Sequence, residues 1–232
     1  MSKIYITGDT HGFEDCNQFL WKNFSEKKLT KDDYVIICGD AGFIWDYPVS
    51  GKEEAERLKW LEEQSWTTLF IDGNHENFDR LRAFNVEEWN GGKIQRINNS
   101  LFHLMRGEIY TIDNNTIFCF GGAQSMDKIY RIPGKSWWPE EEPTNEDFEN
   151  AMDNLEKVNY EVDYIITHDI PVSFRDLFYS NRYKKSSITN QMLEGIEHQC
   201  KYKKWYAGHW HIDMLVNDRF RLMYKDICEL GE

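Results

Sequence analysis

An α/β fold with parallel strands is what this sequence predicts, and three observations predict it. Short β-branched and aromatic runs each end in a polar turn, segments of helical character separate the first of them, and the pattern resumes near residue 164 after a stretch of hairpin-like strands. Strand, turn and helix in alternation build stacked βα units whose strands lie parallel. At 232 residues the chain suffices for one sizeable α/β domain and barely for two small ones. The polar turns lie near both ends. If they form one site the two ends fold together, so a single domain over residues 1–232 is expected.

The elements follow in order. Residues 3–7 form the first run and end at Gly8-Asp9. Residues 34–38 repeat the plan and end at Gly39-Asp40, and residues 69–71 do so again before Asp72-Gly73-Asn74. Between them, residues 13–27 and 52–64 have helical character, the second with Leu58 and Leu61 toward the core. Residues 94–97, 101–105, 108–112 and 116–120 are short strands separated by turn signals such as Asp113-Asn114-Asn115, which suggests antiparallel hairpins. A loop from 121 to about 143 contains Ser136-Trp137-Trp138-Pro139, and residues 146–158 read as a helix with Thr144 as N-cap. Residues 164–166 then lead into Thr167-His168, and 205–207 into Gly208-His209. Short strands at 214–216 and 220–223 close the pattern.

Five of these turns carry metal-binding chemistry: Asp9-Thr10-His11, Gly39-Asp40, Gly73-Asn74-His75, Thr167-His168 and Gly208-His209-Trp210-His211. They hold five of the seven histidines with two aspartates and one asparagine. Imidazole, carboxylate and amide oxygen are the usual ligands of small divalent transition metals. Each turn follows its strand, so the side chains are expected to converge at the carboxyl ends of the strands, where α/β sheets bind ligands. Glycines before Asp40, Asn74 and His209 permit sharp turns. In Asp9-x-His11 and His209-x-His211 an extended backbone would put both side chains on one face, each pair serving one centre. Seven candidate ligands exceed what one ion takes while leaving room for substrate. Two ions about 3.5–4 Å apart, sharing a carboxylate and a hydroxide, would use them all. A two-metal hydrolase is the reading this supports.

The ordered set Gly8-Asp9-Thr10-His11-Gly12, Gly39-Asp40, Gly73-Asn74-His75-Glu76, His168 and Gly208-His209-Trp210-His211 resembles the calcineurin-like metallophosphoesterases. The resemblance implies a β-sandwich of mixed sheets flanked by helices. It implies that Asp9, His11 and His211 bind a first metal, that Asn74, His168 and His209 bind a second, and that Asp40 bridges them. His75 would be the catalytic histidine, beside the scissile phosphate and not itself a ligand. The implied reaction is attack on a phosphate ester by a hydroxide shared between two divalent ions, manganese first, iron or zinc otherwise. Many relatives read Gly-Asp-x-x-Asp in the second motif. Here Phe43 stands where that last carboxylate, which can orient the histidine, would be. Asp46 and Glu76 are the substitutes the sequence offers.

Composition narrows the substrate. The formal charge of −13 argues against long nucleic acids, whose affinity comes from cationic contacts. The basic runs Arg182-Tyr183-Lys184-Lys185 and 201–204 read as solvated faces. A small or medium-sized phosphomonoester or phosphodiester is the expected partner. The alternatives are a nuclease on short or single strands, a protein serine/threonine phosphatase, which lacks its Asp-Arg pair here, and a non-enzymatic scaffold. Arg80, Arg82, Arg106 and Arg131 are candidates for pairing with a substrate phosphate. His103 and His198 read as structural, and Trp137-Trp138 as a cap on the core or an aromatic wall against a base. Five scattered cysteines without a C-x-x-C pair, no signal-peptide pattern and no apolar run of membrane length give the expectation of a reduced, cytoplasmic protein.

Overall fold

A computed structural model describes residues 2–14, 24–178 and 186–232. Cys16, the larger part of the 13–27 segment and the Arg182–Lys185 run lie outside the described residues. The strands are β1 (Ile4–Thr7), β2 (Tyr34–Ile37), β3 (Thr67–Phe70), β4 (Val86–Trp89), β5 (Gly92–Asn98), β6 (Leu101–Leu104), β7 (Glu108–Ile112), β8 (Asn115–Phe120), β9 (Tyr164–Thr167), β10 (Lys204–Ala207), β11 (Met214–Asn217), β12 (Phe220–Leu222) and β13 (Ile227–Glu229). They form two mixed sheets, one ordered β13-β1-β2-β3-β6-β5-β4 and the other β11-β12-β10-β9-β8-β7.

Parallel pairing runs where the polar turns predict it. β1, β2 and β3 pair in parallel in the first sheet, and β8, β9 and β10 in the second. The expected hairpins also form, β5 with β6 and β7 with β8. They belong to different sheets, however. The chain crosses from one layer to the other between Leu104 and Glu108.

The two sheets face each other over a core that period-2 alternation builds. Ile4, Ile6, Ile36, Leu69, Phe102 and Leu104 of the first sheet meet Tyr110, Ile117, Cys119, Ile166 and Tyr206 of the second. The intervening residues face outward under helices. Phe118, Phe120, Ile165 and Trp205 pack on Ala151, Leu155, Leu193 and Ile196 of the helices Asn145–Lys157 and Ile188–Gln199. Ile37 and Phe70 pack on Leu61 of the helix Lys52–Glu63. The result is a helix-flanked β-sandwich.

Thr144 caps the helix Asn145–Lys157 as its sequence predicts. Its hydroxyl accepts from the Asp147 amide at 3.2 Å, and Asp147 Oδ2 accepts from the Thr144 amide at 2.8 Å. Thr144→Ala leaves the Asp147 amide without an acceptor and should lower stability by about 1 kcal/mol. A urea melt at unchanged slope would show it, and an unchanged midpoint would deny the cap any weight.

Candidate metal centre

β1, β2 and β3 end side by side at one edge of the first sheet, and β9 and β10 end facing them from the second. The five polar turns therefore meet at the carboxyl edge of the sandwich as a whole, not at the edge of one sheet. The turns after β1 and β2 interlock through the amides of Thr10 and His11, which donate to Asp40 O at 3.1 and 2.9 Å, and through Thr10 Oγ1, which donates to Ala41 O at 2.8 Å.

The seven candidate ligands converge. Potential ligand atoms of Asp9, His11 and His211 lie within 4.8 Å of one another, and so do those of Asp40, His168 and His209. His211 Nε2 is 3.0 Å from Asp9 Oδ2, and Asn74 Oδ1 is 3.1 Å from His168 Nε2. Asp40 stands between the groups. Its Oδ2 lies 3.1 Å from His11 Nε2, and its Oδ1 lies 3.3 Å from His168 Nε2.

The His209-x-His211 pair does not serve one centre, because neither residue is extended. His209 and His211 have φ of 65° and 50°, and their rings go to different groups. His11 and Asp40 also lie in the left-handed region, at 42° and 47°. Non-glycine residues seldom hold that conformation, and such strain gathers at functional sites.

Gly39 holds the left-handed turn expected of it, at φ 88°, but Gly73 and Gly208 do something other than permit a turn. A Cβ on Gly73 would fall 2.1 Å from Asp40 Oδ1, and one on Gly208 would fall 2.4 Å from Asp9 Oδ1, although neither glycine has a positive φ. They are the space into which the carboxylates fit. Gly73→Ala should destabilise by roughly 3 kcal/mol, a fall in Tm of about 6–12 °C for this length. A Tm within about 2 °C of the parent would mean that the loop yields easily.

Supporting hydrogen bonds orient the donors. His168 Nδ1 lies 2.8 Å from the Cys38 carbonyl, so Nδ1–H donates there and Nε2 faces the centre. Asn74 Nδ2 donates to Ser125 Oγ at 3.2 Å, which turns Oδ1 inward. Asp9 accepts from the His209 amide at 2.9 Å, and Asp40 from the His75 amide at 2.7 Å. Trp210, between the two histidines, donates its indole N–H to Asp169 at 3.1 Å, while the His211 ring stacks on Tyr224 with centroids 4.6 Å apart.

The electrostatics of this cluster suit a cation. Burial pushes Asp40 up, but His168 beside it and the hydrogen bonds from His11 and His168 outweigh burial and hold the carboxyl well below its usual range. Burial pushes His168 down, and Asp40 overcomes it, raising the imidazole to about 10. A buried carboxylate that stays ionised and stabilises a positive charge on its neighbour marks a place that favours cations. Together with amide and imidazole donors turned inward, that fits a divalent ion.

His75 has surroundings that the sequence did not reveal. Phe43 is fully buried and packs on Phe13 and the core beneath the helix Lys52–Glu63, well suited to that place and unable to orient a histidine. Asp46 and Glu76 do not replace the missing carboxylate. Asp46 Oδ2 accepts from the Gly51 amide at 2.7 Å, and Glu76 Oε1 from the Ala41 amide at 2.9 Å. Trp45 lies beside the ring instead, at 5.7 Å between centroids, and Arg131 places its terminal nitrogens 3.3 and 3.1 Å from the two ring nitrogens. Burial, with the Arg131 charge added and Asp40 opposing, lowers His75 to about 4, so the ring is neutral near pH 7. An aromatic neighbour does exist, but it is Trp45. Trp138 caps the core, 2% exposed, with its indole donating to Asp79 at 2.8 Å. His103 is structural, between Gln95 and Asp72, and His198 pairs with Glu194 at the surface.

A model of the calcineurin-like phosphoesterase family matches residues 2–213. No curated protein matches the chain. Among solved structures, a phosphopantetheinyl hydrolase from Mycobacterium tuberculosis is 15% identical with a TM-score of 0.48, the match covering 96% of this chain and 88% of that one.

Proposed function

The chain belongs to the calcineurin-like phosphoesterase family and is a metal-dependent phosphoesterase, and on that premise we propose that it hydrolyses a small or medium-sized phosphate ester at a dinuclear centre. Asp9, His11 and His211 would hold one ion, and Asn74, His168 and His209 the other. The placement of Asp40 carries this reading: one carboxylate oxygen faces His11 and the other faces His168. A carboxylate so placed can serve two ions at once.

Two bound ions would lower the pKa of a shared water and offset the charge that develops on the phosphoryl group. The residues supply the rest. Asp40 and Asp9 bring the negative charge that retains cations, and the imidazoles supply neutral donors. His75 stands next to Asp40, with Nε2 4.0 Å from Asp40 Oδ2, and its ring can be grouped with His11 and Asp40 within 4.8 Å; in this proposal it serves neither ion as a ligand. From there it would donate a hydrogen bond to a phosphoryl or leaving-group oxygen. Manganese is the proposed occupant, with iron and zinc as alternatives. Long nucleic acids are poor candidates, since the chain carries −13. Among the described residues no helix is long and apolar enough to cross a membrane.

The test is metal analysis together with manganese-supplemented hydrolysis of p-nitrophenyl phosphate, bis-p-nitrophenyl phosphate, cyclic nucleotides, dinucleoside polyphosphates and single-stranded oligonucleotides. Turnover of a small ester with two metals per chain is the expected result. A strong preference for oligonucleotides would establish the nuclease reading instead, and one metal per chain at full activity would end the dinuclear one.

A further inference from the structure

Four arginines were candidates for a substrate phosphate, and in three of them the terminal nitrogens are engaged by carboxylates. Arg80 forks onto the buried Glu54, Arg82 bridges Asp79 and Glu140 at the surface, and Arg106 donates from Nε to the buried Asp72 at 2.8 Å. Arg131 is placed differently. Its Nε donates to Asp127, a half-exposed carboxylate, at 2.8 Å. Its terminal nitrogens meet the His75 ring, and one of them lies 3.3 Å from the Ser136 carbonyl. The lone pairs of an imidazole diverge and a neutral ring has only one of them free to accept, so a planar fork touching both ring nitrogens cannot be satisfied by both. Among the described residues neither terminal nitrogen has a hydrogen-bonded carboxylate.

The arm that carries Arg131 reverses the usual burial preference. Ile129, Tyr130 and Ile132 are 78%, 84% and 58% exposed, while the Arg131 side chain between them is 15% exposed and turned toward the centre. The arm is also anchored. Ser125 binds Glu141 through its amide and hydroxyl at 2.9 and 2.6 Å, and the turn beyond Arg131 closes through the Ser136 amide on Ile132 O at 2.9 Å.

We propose that Arg131 binds an unesterified oxygen of a phosphate monoester and so makes this site prefer monoesters to diesters, an inference that rests on the phosphoesterase function proposed above. A monoester dianion has three unesterified oxygens. When two face the ligand cluster, the third can meet a guanidinium beside His75, which matches its geometry and its second charge. A diester has only two such oxygens and one charge. Its second organic group would occupy the place of the third oxygen, and the guanidinium would gain nothing there.

The experiment compares Arg131→Gln and Arg131→Lys with the parent in manganese-loaded protein. Tyr130→Ala serves as a control for disturbing the same arm. On p-nitrophenyl phosphate, Arg131→Gln should lower kcat/KM by about 10²-fold, and on bis-p-nitrophenyl phosphate by less than about threefold. Arg131→Lys should recover part of the monoester rate, and Tyr130→Ala should change neither substrate. Calorimetric titration with inorganic phosphate should show binding weakened about tenfold or more in Arg131→Gln. An equal fall on both esters, or unchanged phosphate binding, would overturn the proposal. A parent that hydrolyses neither ester would count against the phosphoesterase reading for these substrates, and Arg131 would then stand or fall on the phosphate titration.

Discussion

Asp40→Asn should leave the protein with at most one tightly bound metal and reduce ester hydrolysis by about 10³-fold or more. The substitution keeps the shape and removes the charge. The side chain that faces both ligand sets then has one amide oxygen in place of two anionic ones, while Asp9, His11, His168, His209 and His211 remain. Metal analysis beside a turnover assay checks it. Two retained metals would show that another group bridges them. A second readout comes from chelator-treated protein. There His168 is raised from its ordinary 6.5 to about 10 by Asp40. A group whose folded pKa is raised contributes stability below its unfolded pKa and loses it as pH rises through the folded value. The metal-free parent should therefore lose stability between pH 6.5 and about 10, and Asp40→Asn should not show that loss. A flat profile in the parent would mean that the ion pair adds nothing.

The strand-end turns could be read from sequence because they combine two independent signals. A β-branched run bounded by Gly-Asp or Gly-Asn announces the element, and metal-binding residue types announce the chemistry. The sandwich could not be read from residues alone. Hairpins β5–β6 and β7–β8 look alike in sequence, and nothing in the intervening Met105-Arg106-Gly107 says that the second belongs to the other sheet. β4, whose Val-Glu-Glu-Trp has exposed glutamates, and the short edge strand β13 lack a clear apolar alternation and escaped notice. Gly39 was read correctly as a turn residue, while Gly73 and Gly208 were legible as residues and misread as to reason. A contact such as Gly73 against Asp40 spans residues remote in the chain, so local turn rules point to conformation when the constraint is space. Trp45 was hidden similarly, and Arg131, one of four candidate arginines in the sequence, could not be singled out from it. One aromatic and one cation in irregular segments carry no periodicity, and only the fold brings both to His75. The placement of Trp45 became intelligible with Glu54: its buried carboxylate accepts from the amides of Trp45 and Asp46 at 2.9 and 2.8 Å, and so pins that loop.

His75→Ala should lower kcat by about 10²–10⁴-fold with metal content intact. The separation is expected because the proposed centre takes no ligand from the ring, and its backbone amide, which holds Asp40, survives the substitution. Loss of metal in the variant would show that His75 is a ligand and that its role is wrongly assigned. The size of the effect across substrates then distinguishes its two possible tasks. Burial, with Arg131 adding to it and Asp40 opposing, lowers the imidazole to about 4, so the free protein presents a neutral ring near pH 7. A neutral imidazole can still donate one N–H to a phosphoryl oxygen. To protonate a leaving alkoxide it must first gain a proton, and an arriving phosphate dianion favours that gain. If His75 acts on the phosphoryl oxygens, the loss in His75→Ala should be equal for p-nitrophenyl phosphate and for an alkyl phosphate. If it protonates the leaving group, the alkyl ester, whose alkoxide is far more basic, should lose much more. The neutral ring and the adjacent guanidinium favour the first outcome. A loss confined to the alkyl ester would establish the second and would require that substrate binding, rather than the fold, sets the protonation of His75.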